Sequence, residues 1–255
     1  MSRPLAGRVV LVAGAGHGLG AAVAPELARL GAHPVLLGRT AGALEEVDDR
    51  VRAAGGRATL LALDLLDGEA VDRLGPSLYA RFGRLDGLLF TAARLERLTP
   101  VAHGDPDWFA RLLAVNTVAA ARLIRTLDPL LRRSDAGRAV FATCAVARAP
   151  RAYWGHVAAT KAALEALVLA YAAEVRRTPL RVNLVDPGPL ATRYRRDAYP
   201  GEPPEAAPPP TRAVPAVVAL LLPSCTRHGA RVSVEEEAAD GDRDRRSRGL
   251  DAAAR

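Results

Sequence analysis

Three glycines behind a short apolar run are the first residues of the chain with an evident chemical use. They stand as Gly14-x3-Gly18-x-Gly20, directly after Val9-Val10-Leu11-Val12-Ala13, with Gly16, His17 and Leu19 between them. Such a turn bends tightly and brings backbone N–H groups close to a pyrophosphate, and a helix start behind it attracts anions. A second group surrounds Lys161, the one lysine against 34 arginines. Tyr153 and His156 precede it and can move protons, and Cys144 upstream is a thiol. No base is positioned by the sequence to make that thiol a nucleophile, and a buried free cysteine is usually packing.

These residues need elements to hold them. Val9–Ala13 reads as a strand, followed by a helix through Leu30 that contains Pro25, where a kink is expected. Strands are expected at 34–37, 58–63, 87–91, 138–143, 180–185 and 230–234, with helices at 43–54, 70–82, 105–131, 152–177 and 214–222. Asp105-Pro106 is a good helix start, since Asp caps and Pro suits the first helical position. The proline-rich stretch 187–210 is expected to be irregular. Apolar strands without alternation, separated by helices, indicate a parallel sheet covered on both faces. The expected fold is a single α/β Rossmann-type doubly wound domain over 1–234, with a parallel seven-stranded sheet flanked by helices. Residues 235–255 are charged and poor in apolar side chains, and are expected to be a disordered tail.

Composition narrows the class. The chain has 255 residues, 49% hydrophobic and 25% charged, enough for a substantial core. Gln is absent, Ile124 is the one isoleucine, and Asn116 and Asn183 are the two asparagines, a bias that suggests a GC-rich genome. No run of about 18 apolar residues is free of charge, so no transmembrane helix is expected, and no signal-peptide pattern opens the chain. Two cysteines make no disulfide framework, which points to a cytoplasmic protein. The net charge of +7 raises nucleic acid as a partner, but the arginines are scattered and not interleaved with aromatics, so none is expected. Neither a membrane nor a metal is expected as a partner.

Several motifs in order resemble the short-chain dehydrogenase/reductase family over about residues 6–234. They are Ala13-Gly14-Ala15-Gly16-His17-Gly18-Leu19-Gly20, then Asp64-Leu65, then Ala92 in Phe90-Thr91-Ala92-Ala93, then Asn116, then Lys161, then Pro187-Gly188 with Thr192. The resemblance implies a nicotinamide cofactor held by these residues, with Asp64 at the adenine and Lys161 at the nicotinamide ribose. It implies a substrate loop over about 189–212, and a homodimer or homotetramer through the two long helices. The cofactor's form can be argued from charge. An acid after the second strand would bind a ribose 2′-OH and repel a 2′-phosphate, whereas Gly38-Arg39 stands there. His17 lies where relatives that prefer NADP often carry a basic residue. NADP(H) is therefore expected over NAD(H).

The resemblance breaks at the catalytic segment. The family has Ser, then Tyr thirteen residues on, then Lys four later. Here the Ser position holds Cys144 and the Tyr position holds Val157. In the family the Tyr donates a proton to the carbonyl oxygen, Lys lowers its pKa, the helix Asn holds a relay water and Ser orients the carbonyl. Valine can do none of this, and general acid catalysis is typically worth about 10²–10⁴-fold. Three replacements stay open: Tyr153, one turn before Val157 and on its face; His156, about 100° round the helix; and a water ordered by Lys161 and Asn116. Two functions follow. One is an NADP(H)-dependent oxidoreductase acting on a small carbonyl or alcohol. The other is a catalytically impaired cofactor-binding pseudoenzyme, a sensor or oligomer partner.

Overall fold

Side chains along the buried strands alternate between two cores, because successive residues of a strand face opposite sides of the sheet. Val10 and Val12 point into one layer, and Leu11 and Ala13 into the other. The computed structural model of the protein describes residues 3–95 and 97–235. Its strands are β1 (Val9–Ala13), β2 (His33–Gly38), β3 (Thr59–Ala62), β4 (Gly87–Phe90), β5 (Arg138–Ala142), β6 (Arg181–Asp186) and β7 (Arg231–Ser233). They form one seven-stranded sheet in the order β3-β2-β1-β4-β5-β6-β7. Every pairing is parallel, with Ala13 in register with Leu37 on one side and Phe90 on the other.

Helices α1 (Gly18–Arg29), α2 (Ala41–Ala53) and α8 (Val214–Leu221) cover one face. Helices α3 (Gly68–Phe82), α5 (Ala119–Leu131) and α6 (Gly155–Val175) cover the other. The expected single doubly wound domain is therefore the observed one. The chain runs outward from β1 to β3, then returns to β4 beside β1. That reversal opens a crevice at the carboxyl ends of β1 and β4, where ligands bind in such sheets. A third apolar cluster, including Leu95, Trp108, Leu112, Val146 and Val157, sits at the same end.

Four local expectations are corrected or refined. Helix α1 runs from Gly18 to Arg29 with Pro25 inside it, so the proline does not end the helix. The long helix splits into α4 (Pro106–Leu113), a π turn over Ala114–Val118 that contains Asn116, and α5. Helix α6 begins at Gly155, so Tyr153 lies before it. The proline-rich stretch holds a six-residue helix, α7 (Arg193–Ala198), inside the proline-free run of that stretch and capped by Thr192. The expected tail lies outside the described residues except for Glu235. Among the described residues, α6 alone is long and apolar enough to cross a membrane, and half of that window is buried inside the fold.

Candidate active site

The glycine turn is closed to side chains. Gly14 has φ +90°, and a Cβ there would lie 2.7 Å from the Ala92 amide nitrogen. A Cβ on Gly20 would lie 2.5 Å from the Gly14 carbonyl oxygen and 2.7 Å from Thr91 Oγ1. The Gly14 and Ala15 amides both donate to the Leu37 carbonyl, at 2.9 and 3.0 Å, which ties the turn to β2. The Thr91 hydroxyl donates to the Ala13 carbonyl at 3.0 Å and clamps it to β4. Thr91 was not singled out from sequence; its job depends on β1–β4 pairing, which no local pattern reveals. His17 is exposed at the N-cap of α1 and gives that helix start no side-chain cap. Leu19 is buried beneath the turn, so only its backbone is available to a ligand.

The other residues expected at the cofactor surround this turn. Gly38 abuts it, since a Cβ on Gly38 would lie 3.6 Å from the Gly16 nitrogen, and Arg39 follows exposed to solvent. Leu63 donates to the Gly38 carbonyl at 2.8 Å, which brings Asp64 to the same rim. Asp64 is exposed and accepts a bond from the Leu66 amide at 3.0 Å, while Leu65 packs partly into the core. Across the crevice, Gly188 has φ +71° and donates to Asp186 at 3.1 Å, turning the chain after Pro187. Thr192 returns to the turn, its methyl 3.3 Å from where a Gly18 Cβ would be. His17, Gly18, Thr192, Arg193 and Arg196 line a cleft of about 400 Å³ between the two segments.

At the other end of the crevice, Lys161 is buried, and its Nζ donates to the Ala142 carbonyl at 3.0 Å. Burial lowers its pKa, against the nearby Cys144, Glu165 and Asp186, which favour its charge. Asn116 is fully buried and committed to the protein. Its oxygen accepts from the Arg94 amide at 2.7 Å, and its nitrogen donates to the Arg94 carbonyl at 3.1 Å and to Thr160 Oγ1 at 3.0 Å. With both side-chain donors used inside the fold, the Asn116 side chain fixes the β4–α4 segment against α6. Thr160, which was not expected, is the far end of that brace. Cys144 lies partly buried at the end of β5, its thiol pushed up by burial and drawn back by Lys161.

The structure separates the candidates for proton donor. Val157 is 2% exposed and sits in the third apolar cluster. Tyr153 does not share its face: it has φ +70°, precedes α6 and is 58% exposed. The expectation of a helical position for Tyr153 is overturned, because the turn before α6 holds it in a left-handed conformation. His156 is wedged edge-on between Trp108 and Phe109, with ring centroids 5.0 and 5.2 Å away. Tyr194 of α7, also missed from sequence, enters the cluster that contains Val157 and Cys144.

The pattern of the short chain dehydrogenase family matches residues 8–203. The chain is 36% identical over 217 residues to the uncharacterised oxidoreductase YciK of Escherichia coli K12, covering 84% of this chain and 86% of that protein. It is 28% identical over 201 residues to an NADPH-dependent aldehyde reductase-like chloroplast protein of Arabidopsis thaliana, covering 74% of each. A short chain dehydrogenase of Shigella flexneri 2a, solved in complex with NADP, matches with a TM-score of 0.88 at 33% identity, covering 92% of this chain and 100% of that one.

Proposed function

The chain belongs to the short-chain dehydrogenase family, and from that premise we propose that it binds NADP(H) and transfers hydride between the nicotinamide and a small carbonyl or alcohol. NADP(H), when bound, supplies or takes up the hydride. The chain's residues fit such a group. Gly14 and Gly20 form a cradle that any Cβ would fill, and the uncapped α1 start behind it suits a pyrophosphate. Gly16, Gly18 and the Leu19 backbone complete this cradle. Arg39 and His17 hold the 2′-phosphate, Asp64 and Leu65 the adenine, and Ala92, Pro187, Gly188 and Thr192 the crevice walls. Lys161 holds the nicotinamide ribose. Its buried cation has one bond to the protein among the described residues and two further donors.

The observation that carries the preference is Arg39 at the carboxyl end of β2, exposed and beside the turn. The Shigella relative's NADP complex supports it. Titrating the protein with NADPH and NADH, followed by cofactor fluorescence, tests the reading. Tighter NADPH binding is expected; equal affinity or tighter NADH binding would overturn it.

A second reading is a catalytically impaired cofactor-binding protein, and Val157 favours it. Turnover separates the two. NADPH oxidation with a panel of aldehydes and ketones by the wild type supports the oxidoreductase. Silence in the wild type with activity in Val157→Tyr supports the impaired protein. Either function is compatible with a homodimer or homotetramer that packs through the long helices.

A further inference from the structure

Helix α7 carries a side chain that the site described so far leaves without a use. The Tyr194 hydroxyl is shut off from solvent and has no hydrogen-bond partner among the described residues. Burying a hydroxyl unpaired opposes folding, and a buried tyrosine ordinarily finds a partner. Tyr194 nonetheless packs in the cluster that holds Val157, Cys144 and Trp108. Burial and the neighbouring Cys144 both push its phenol above the ordinary range, and Cys144 is in turn coupled to the Lys161 cation. Packing in one cluster with Val157, one turn before Lys161, and with Cys144 puts Tyr194 at the end of the crevice where Lys161 sits.

Its helix is anchored rather than loose. Thr192 Oγ1 accepts the Arg195 amide at 3.3 Å, and Ala191 donates to the Pro208 carbonyl at 2.8 Å. Arg195 forks onto Glu202 through two bonds of 2.5 Å. Tyr199 packs tilted against Trp154, ring centroids 6.0 Å apart, and Ala198 is buried in the cluster. A loop held at this many points presents Tyr194 in one place.

Resting on the oxidoreductase reading, we propose that Tyr194 is the catalytic proton donor to the substrate oxygen, brought in from α7 where Val157 has nothing to donate. Reduction of a carbonyl makes a new C–H bond from the hydride electron pair, supplied by a reduced nicotinamide, while the C=O π pair moves onto oxygen. The Tyr194 O–H breaks and its proton goes to that oxygen, giving the alcohol. The phenolate left on Tyr194 takes its proton back from water that enters the crevice as the alcohol leaves. Other groups near the site are worse placed: both Asn116 side-chain donors are spent, His156 is wedged between rings, and Tyr153 lies outside α6 in solvent.

The test compares wild type, Tyr194→Phe, Tyr153→Phe and, as an exposed control, Tyr79→Phe. The measurements are NADPH affinity, turnover of an aldehyde and ketone panel, and thermal midpoint without cofactor. In Tyr194→Phe, kcat is expected to fall about 10²–10⁴-fold, with NADPH affinity unchanged. Its thermal midpoint should be unchanged or raised, because removing an unpartnered hydroxyl relieves a folding cost. A structural hydroxyl would instead lower the midpoint, and that result overturns the assignment. So does turnover retained in Tyr194→Phe, or turnover lost in Tyr153→Phe instead. Wild type that binds NADPH but reduces nothing overturns it too. Wild type that binds no NADPH brings down the oxidoreductase reading and this assignment together, so the two failures are told apart by the cofactor titration.

Discussion

Asn116 and Arg39 show two ways in which one residue serves the site. Asn116 acts through the fold: three hydrogen bonds join the Arg94 backbone to α6 inside a π turn. π turns recur at functional sites, and this one sets Asn116 between β4 and α6. Asn116→Ala should cost about 1–3 kcal/mol in urea unfolding, since buried partners are left unpaired. Arg39 acts directly. Arg39→Glu should weaken NADPH binding by about 10- to 150-fold, the range for a charge-assisted hydrogen bond, and leave NADH binding little changed; a titration with both cofactors reads the difference. Tyr194 adds a pH dependence. Burial raises its phenol above the ordinary 10.0, so the donor stays protonated through neutral and mildly alkaline pH. For carbonyl reduction, kcat should stay flat up to that value, whereas a donor titrating near neutrality would cut it off earlier. The glycines were legible in the sequence because a tight turn leaves a local signature. Thr91 and Thr160 were not, because each works on a partner remote in sequence, and neither was Tyr194, whose cluster neighbours come from other segments.

At the scale of elements, α6 ties the site to the sheet through Glu165. This buried carboxylate accepts from Thr143 at 2.7 Å, Arg148 at 3.1 Å and Arg231 at 3.0 Å, joining β5, β7 and the loop after Cys144. Burial pushes its pKa up, but these donors outweigh it and hold the carboxyl below its usual 4.5. The stability it contributes is therefore fully present above about 4.5 and is lost as pH falls through the lower folded value, where the carboxylate gains its proton. Glu165→Ala should cost about 3–5 kcal/mol at neutral pH, the usual penalty for breaking a buried ion pair from one side, and should flatten the acid limb of stability against pH, both measured by denaturant unfolding. The strands were legible as apolar runs because a sheet covered on both faces needs them. Helix α7 was hidden among prolines, because its six residues are stabilised by the Thr192 cap, the Arg195–Glu202 pair and packing of Ala198 rather than by any helical period. The position of Tyr153 was misjudged for the reverse reason: a helical pattern ran past the true start of α6.

For the whole molecule, parallel winding carries every site segment to one edge of the sheet, so the glycine turn, Lys161 and α7 meet although distant in sequence. It also leaves α6 with a face the fold does not cover. Ala159, Ala162, Ala166, Ala170 and Ala173 are all exposed, and steps of three and four residues keep them on one side of the helix. No charged side chain interrupts that stripe, and alanines allow a second helix to approach closely. On the neighbouring long helix, Val118 is 48% exposed. A second copy of the chain, packing these helices against their symmetry mates, would bury both features. The wild type is therefore expected to sediment as a dimer or tetramer at micromolar concentration. Ala166→Arg, which sets like charges against each other across a two-fold contact, should shift it to monomer while NADPH binding is retained, because the stripe faces away from the crevice. A wild-type monomer, or an Ala166→Arg protein that still associates, would rule out this interface.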